Sequence, residues 1–182
     1  MLIRPARPDD FPAWRPLYDG YNAFYGRVGA TALTPDLVEV IWGRFFDHGE
    51  PIGALVAEDQ GVIVGIAHYV FHRSVLHLED ACYLQDLFTI PEARGRGVGR
   101  ALIEETYRLA AAAGCPRVYW LTQTTNTPGR ALYDQVAEHK GFIVYSHELG
   151  LASTLVLAPT RCRGRDAGAP GPNFPNCPNF PA

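Results

Sequence analysis

A short segment alternates glycine with arginine just before a run that has the spacing of a helix. Its members are Arg94, Gly95, Arg96, Gly97, Gly99 and Arg100. Glycine reaches left-handed backbone conformations and lets a ligand approach the main chain, and arginine binds phosphate oxygens in a bidentate geometry. The amides and the positive dipole end of a helix N-terminus attract the same kind of group. The segment therefore predicts an anion site, and a diphosphate is its natural guest.

Two common phosphate-binding motifs do not fit this segment. A P-loop requires Gly-Lys followed by Ser or Thr, and that tripeptide is absent. A dinucleotide fingerprint requires glycines at its first, third and sixth positions, whereas Arg100 occupies the sixth. A strand, a glycine turn and a helix N-terminus remain as the expected arrangement, and a tight turn with solvated arginines is the alternative.

Hydrophobic periodicity predicts the elements that hold this segment in place. Two helices carry bulky aromatic stripes; Asp9 or Asp10 caps the first, and Thr34-Pro35 starts the second. Runs rich in β-branched and aromatic residues predict strands on both sides of the glycines. The predicted order is strand 2–4, helix 14–25, helix 34–48, strands 54–57, 62–71 and 81–90, helix 100–113, strand 118–122, helix 128–138 and strand 141–145. This order indicates a mixed sheet with helices packed on it.

Composition predicts one domain followed by an extension. Of the 182 residues, 47% are hydrophobic and 19% charged, as in soluble globular proteins. No apolar run approaches the ~20 residues that a membrane span needs. The first residues lack the apolar stretch of a signal peptide, so we expect a cytoplasmic protein. The predicted domain covers residues 1–150, and residues 151–182 form an extension, disordered from about 161, where Gly, Pro and Asn dominate.

Charge and cysteine spacing argue against two further classes of protein. Residues 151–182 hold three arginines and one aspartate, so residues 1–150 carry 13 basic and 18 acidic side chains, a net charge of −5. A general nucleic-acid binder is normally basic. The four cysteines are widely scattered and form no CxxC pair, so the sequence predicts neither a zinc cluster nor a disulfide framework.

Two motifs in the correct order and separation resemble the GNAT superfamily of N-acetyltransferases. Arg94-x-x-Gly97-x-Gly99, after the strand that ends at Ile90, resembles its acetyl-CoA pyrophosphate signature. Asn126, Ala131-Leu132-Tyr133 and Gly141-Phe142 resemble a later motif of the superfamily. The resemblance covers about residues 1–148 and is greatest to the branch that acetylates histones, polyamines and amino acids. It implies an α+β fold with a mixed, mostly antiparallel central sheet and helices on both faces.

The resemblance implies acetyl-CoA as a co-substrate and no metal. The strand backbone would pair with the pantetheine arm, and the amides of the glycine segment would hold the pyrophosphate. Asn126 would contact the arm from the opposite side, and helix capping is a second role that can coexist with this one. The residues expected to contact the cofactor are Leu87, Phe88, Thr89, Arg94, Gly95, Arg96, Gly97, Val98, Gly99, Arg100 and Asn126.

The resemblance also assigns catalytic roles. Tyr133 would be the general acid that protonates the departing thiolate, because a tyrosine of ordinary pKa, ~10, stays protonated at neutral pH. Gln85 stands where polyamine-type relatives have a glutamate base, which leaves Asp86 acting through water. Tyr25, Trp42 and Gln85 would line the acceptor side. The other candidates for the base are Glu79, Asp80, His68 and His72.

The function implied is transfer of acetyl to a primary amine of a small molecule or peptide by direct attack. The acidic domain suits a cationic acceptor. A catalytically silent acyl-CoA-binding sensor is the alternative; the intact Tyr133 argues against it, and Gln85 in place of glutamate argues mildly for it. The sequence decides neither the acceptor nor whether the chain forms the homodimer common in the resembled superfamily.

Overall fold

The computed structural model describes residues 1–147 and 149. The chain divides into two compact units, the first comprising residues 1–141 and the second beginning at Phe142. None of the helices in the described residues has the length and apolar character needed to cross a membrane. The helices and strands of the first unit are β1 (Leu2–Pro5), α1 (Phe11–Phe24), α2 (Pro35–Arg44), β2 (Ile52–Asp59), β3 (Val62–His72), β4 (Ala81–Thr89), α3 (Val98–Ala112), β5 (Val118–Tyr119) and α4 (Thr127–Val136).

The five strands form one sheet in the order β1-β2-β3-β4-β5. Neighbouring strands are antiparallel except β4 and β5, which run parallel. The β2–β3 hairpin turns at Gln60 and Gly61, whose φ angles of 52° and 82° match the left-handed pair that a tight hairpin turn requires. The predicted mixed, mostly antiparallel sheet is confirmed.

Helices cover both faces of the sheet, as predicted. On one face α1 and α2 bury an aromatic core against β2 and β3. Trp14 is fully buried there, and its ring centroid lies 4.6 Å from those of both Tyr18 and Trp42. On the other face α3 packs Leu102 and Ile103 against the sheet, and Leu132 of α4 joins this second core. The two helical layers keep β3 and β4 buried at the centre of the unit.

The starts of the first two helices show how the predicted caps are used. Thr34 accepts a hydrogen bond from the Leu37 amide at 3.3 Å, which confirms the predicted cap of α2. This helix ends at Arg44, earlier than the expected end at residue 48. Asp10 precedes α1 but does not cap it with its side chain. Its carboxylate instead pairs with Arg4, at 2.7 and 2.9 Å, and with the Arg7 amide.

The prediction of a closing strand at 141–145 is wrong. Residues 141–147 form no strand, and the side chains of Phe142, Ile143, Val144 and Tyr145 are 64–88% exposed. An apolar run forms a strand only where another strand pairs with it. Among the described residues, no strand pairs with this run. Strand β5 is also shorter than predicted, at two residues. The predicted extension at 151–182 lies outside the described residues.

Candidate active site

A β-bulge in β4 reshapes the centre of the sheet. His68 of β3 lies opposite Asp86, but its neighbour Tyr69 lies opposite Leu84, so Gln85 is an extra residue without a partner across the ladder. Leu84 and Asp86 are buried, whereas Gln85 is exposed. The sequence analysis expected Gln85 on the acceptor side and Asp86 as the base. The bulge places Gln85 at the cleft and Asp86 behind it.

Strands β4 and β5 separate soon after they meet. Their pairing comprises only Cys82 with Val118 and Tyr83 with Tyr119. Beyond these pairs, within the described residues, no strand lies along the β5 side of β4, and a cleft opens between them. The residues that line this cleft are Tyr21, Tyr25, Leu84, Gln85, Leu87, Trp120, Leu121 and Tyr133. Helix α1, the bulge and helix α4 therefore all face one opening.

The main chain of β4 offers hydrogen-bonding groups to this opening. Ile90 donates to the Val64 carbonyl at 3.0 Å, which fixes the phase of the antiparallel ladder. Hydrogen-bonded and non-hydrogen-bonded pairs alternate along an antiparallel ladder. The main-chain N–H and C=O of Phe88 therefore bond to β3, whereas those of Leu87 and Thr89 point away from β3 and towards the cleft. Arg94 already donates to the Thr89 carbonyl at 3.2 Å. Of the three strand residues predicted to pair with a ligand, Leu87 and Thr89 have the suitable orientation.

The glycine segment forms a cradle of free amides at the start of α3. Gly95 and Gly97 have φ angles of 72° and 82°, a region that side-chain-bearing residues rarely adopt. The first helical hydrogen bond runs from Ala101 to the Gly97 carbonyl, so the amides of residues 98–100 have no carbonyl partner inside the helix. A Cβ at Gly99 would lie 3.2 Å from Leu132. This cradle fits a diphosphate, because its donors converge at a positive helix end.

The three arginines of the segment already have partners in the protein. Arg96 pairs with Asp59 at 2.6 Å, and Arg100 donates to Gln135 at 2.6 Å. The Arg94 guanidinium lies 5.9 Å from the Phe88 ring centroid. All three contacts are near the surface, where they are worth little and can exchange. The main-chain amides are thus the fixed anion donors, and the guanidinium groups are adjustable ones.

Tyr133 reaches the cleft from α4, whose start is set by Asn126. The Asn126 side chain accepts from the Gly129 amide at 3.2 Å and donates to Thr122 at 3.0 Å, so its capping role is confirmed. The Tyr133 ring lies 5.4 Å from that of Trp120, edge to face. Burial raises the pKa of Tyr133 to about 12. No described residue hydrogen-bonds its hydroxyl, which leaves the proton available for a ligand.

A buried chain of hydrogen bonds runs behind the bulge. The Trp14 indole donates to Nε2 of His68 at 2.9 Å, and Nδ1 of His68 lies 2.8 Å from an Asp86 oxygen. Because an indole can only donate, Nε2 must accept, and the ring proton sits on Nδ1 facing Asp86. All three residues are at most 6% exposed. His68 was a candidate base in the sequence; the structure makes it the partner that orients Asp86.

Tyrosines surround the Asp86 carboxylate on the cleft side. Burial raises the pKa of the Tyr21 phenol, and the neighbouring Asp86 raises it further. The pKa values of Tyr25 and Tyr83 are raised as well, mainly by burial and also by the Asp86 charge. The Tyr21 hydroxyl lies 3.4 Å from the Gln85 carbonyl. The inner wall of the cleft therefore carries negative charge behind neutral phenols, an environment that favours a cation.

The structure separates the three residues expected on the acceptor side. Tyr25 and Gln85 line the cleft. Trp42 lies elsewhere: it is 8% exposed, and its ring packs against Trp14 and Phe46 in the aromatic core. Its helical spacing predicted that Trp42 faces inward, but it could not show whether the residue lies in the core or lines the cleft. Trp120 and Leu121 also line the cleft; the sequence placed them in a strand at 118–122, but β5 ends at Tyr119 and leaves both beside the opening.

Comparison with known proteins identifies the family of this chain. The sequence profile of the Acetyltransferase (GNAT) family matches residues 14–137. This chain belongs to the GNAT family. It is similar to the D-amino-acid N-acetyltransferase HPA3 of Saccharomyces cerevisiae, with 33% identity over 147 residues that cover 80% of this chain and 89% of that protein.

Solved structures agree on the fold of this GNAT protein. A ribosomal-protein-alanine N-acetyltransferase from Brucella melitensis superimposes with a TM-score of 0.65 at 20% identity, over 81% of this chain and 99% of that one. The aminoglycoside acetyltransferase AAC(6')-Iy, solved with a bisubstrate analogue, gives 0.69 at 19% identity, over 81% and 97%. The chain is an acetyl-CoA-dependent acyltransferase, and the glycine cradle fits the diphosphate of that co-substrate.

Proposed function

We propose that this GNAT enzyme transfers the acetyl group of acetyl-CoA to the primary amine of a small molecule by direct attack. The observation that carries the proposal is the meeting of the bulge, the free β4 backbone and the Tyr133 hydroxyl at one cleft. A relative that spans most of the chain is named as acting on D-amino acids, which supports a small amine as acceptor.

The protein's own groups hold the co-substrate in this scheme. The amides at residues 98–100 bind the diphosphate, and the main chain of Leu87 and Thr89 pairs with the amide-bearing arm. When bound, acetyl-CoA supplies an activated thioester carbonyl. The line from the cradle along β4 ends at the cleft that contains Tyr133. The thioester therefore lies where the side chains from α1 and α4 converge.

Tyr133 acts as the general acid. Its hydroxyl proton passes to the sulfur as the C–S bond breaks, and the phenol later regains a proton from water. The raised pKa, about 12, keeps this proton in place throughout the neutral range. The unpartnered hydroxyl has no competing acceptor among the described residues, so its proton can point at the leaving group.

Asp86 acts as the base through water. Nδ1 of His68 lies 2.8 Å from one carboxylate oxygen, and the Tyr21 phenol also interacts with this carboxylate. A carboxylate has about four acceptor sites, so it can accept from a water as well. The carboxylate is buried behind Tyr21 and Gln85, so a water at the bulge carries the proton that the attacking amine loses. Its charge also draws the ammonium form of the acceptor towards the inner wall of the cleft.

A thiol-release assay of purified protein with acetyl-CoA tests this function. The panel comprises polyamines, amino acids of both chiralities, aminoglycosides and a lysine-rich peptide, and mass spectrometry identifies the N-acetylated product. We expect turnover of one class of small amine well above the hydrolysis of acetyl-CoA alone. Turnover of the peptide alone would refute a small acceptor. Absence of transfer to every amine, with acetyl-CoA binding intact by calorimetry, would refute the proposed reaction.

A further inference from the structure

Arg27 is held in a fixed position just beyond the end of α1. Its main-chain amide donates to the Asn22 carbonyl at 3.0 Å, and its guanidinium donates to the Asn22 side-chain oxygen at 2.9 Å. Asn22 is only 4% exposed, and its own amide group donates to the Tyr18 carbonyl at 2.8 Å. A buried amide thus anchors an exposed guanidinium and limits the rotamer freedom of this long side chain.

The Arg27 charge lies beside the acceptor end of the cleft. Its guanidinium carbon lies 5.8 Å from the ring centroid of Tyr25, a residue of the cleft wall. Burial raises the pKa of both Tyr21 and Tyr25, and the Arg27 charge acts in the opposite direction on each. The positive charge is therefore felt by the same phenols that surround Asp86.

Arg27 has no carboxylate partner among residues 1–147. Arg15 on α1, by contrast, is paired with Asp19 at 2.9 Å. The bond to Asn22 uses one of the five N–H donors of the guanidinium. No hydrogen bond from the described part of the chain uses the rest of the planar fork, and this geometry matches a carboxylate in two parallel hydrogen bonds.

We propose that Arg27 forms a carboxylate-binding subsite and that the acceptor is a free amino acid. This inference rests on the proposed transfer to a small amine and specifies its substrate class. The cleft has two poles: Asp86 behind the bulge attracts the ammonium group, and Arg27 at the rim binds the carboxylate. Both charges act on the phenols of Tyr21 and Tyr25. A zwitterion satisfies both poles, whereas a polyamine would set a second ammonium against Arg27.

Matched substrates test the subsite. We would measure kcat and KM for an amino acid and for its amide, which lacks the carboxylate, at saturating acetyl-CoA. The variants are Arg27→Gln, Arg27→Lys and, as control, Arg15→Gln in α1. We expect Arg27→Gln to lower kcat/KM for the amino acid by about 10- to 100-fold, mainly through KM, and to change the amide by less than about threefold. Arg27→Lys should retain part of the preference, since it keeps the charge and loses the fork.

The outcomes separate this inference from the proposed function. Equal losses for the amino acid and the amide would overturn the subsite and assign Arg27 a purely structural role. Wild-type enzyme that prefers the amide, or Arg27→Gln indistinguishable from wild type, would also overturn it while leaving acetyl transfer to amines intact. Failure of wild type with every amine would instead refute the function. Circular dichroism melting of each variant identifies any loss caused by misfolding.

Discussion

Replacing Tyr133 by phenylalanine removes the proposed acid and little else. The ring that lies 5.4 Å from Trp120 is retained, and no described group loses a hydrogen-bond partner. A positioned general acid contributes about 10²- to 10⁴-fold to a rate, or about 3–5 kcal/mol of activation free energy. We expect Tyr133→Phe to lower kcat by at least about 10²-fold, with the KM for acetyl-CoA changed less than about twofold.

The pH dependence gives this prediction a second, independent test. With a pKa of about 12, only about 1% of Tyr133 is ionised at pH 10, against about half for an ordinary tyrosine. The wild-type kcat should therefore show no loss from Tyr133 between pH 8 and about 10. The Tyr133→Phe variant should follow the same profile at a lower level.

The assay is thiol release at saturating acetyl-CoA and acceptor, with Tyr107→Phe as the matched control. Tyr107 also packs near Trp120, at 6.4 Å, but its hydroxyl donates to the Val136 carbonyl and lies outside the cleft. This control should lose stability and keep its kcat. A Tyr133→Phe enzyme that retains more than about a tenth of wild-type kcat, or a Tyr107→Phe enzyme that loses as much, would refute the reasoning.

Three further changes probe the cradle, the buried chain and the ionisation of Tyr133. Gly97→Ala should lower the free energy of unfolding by about 1–2 kcal/mol, because alanine is strained at a φ of 82°, and should raise the KM for acetyl-CoA. The control Gly43→Ala lies in a helix at ordinary φ and should be neutral or stabilising in the same thermal melts. Trp14→Phe should cost about 3 kcal/mol in urea unfolding, because it leaves His68 Nε2 without a donor in a packed core; a loss below about 1 kcal/mol would contradict that account. Folding raises the pKa of Tyr133, so the contribution of this tyrosine to stability is complete below pH ~10 and is lost as the pH rises towards 12. Alkaline titration followed by circular dichroism should therefore show the stability of wild type falling over that interval, and that of Tyr133→Phe falling less steeply.

Most elements of the first unit could be predicted from the sequence, because its strongest local patterns agree with the final packing. The helical stripe around Trp14 became the aromatic core, and the Thr34-Pro35 start became a working cap. The glycine segment likewise predicted a strand, a turn and a free helix N-terminus, since Gly95 and Gly97 require conformations that few other residues adopt. Features of this kind depend on residues close together in the sequence, so they can be predicted without knowing the tertiary contacts.

The parts that the sequence could not provide depend on partners far along the chain. Trp14 and His68 are 54 residues apart, and no local pattern links an indole to that imidazole. Trp42 was assigned to the cleft because helical spacing shows only that a side chain is covered, and not by what. The run at 142–145 has strand-like composition, yet a strand also needs a neighbour to pair with, which composition does not encode.

The bulge at Gln85 contributes to the cleft but not to the hydrophobic core. Without that residue, Leu84 would be followed directly by Asp86, and both would keep their present partners, Tyr69 and His68, in an uninterrupted ladder. Each would also keep its own face of the sheet, because alternation would be regular. The hydrophobic core thus does not depend on the extra residue, whereas the carbonyl that faces Tyr21 does. A single extra position thus adds a main-chain carbonyl to the cleft wall without disturbing the hydrophobic core.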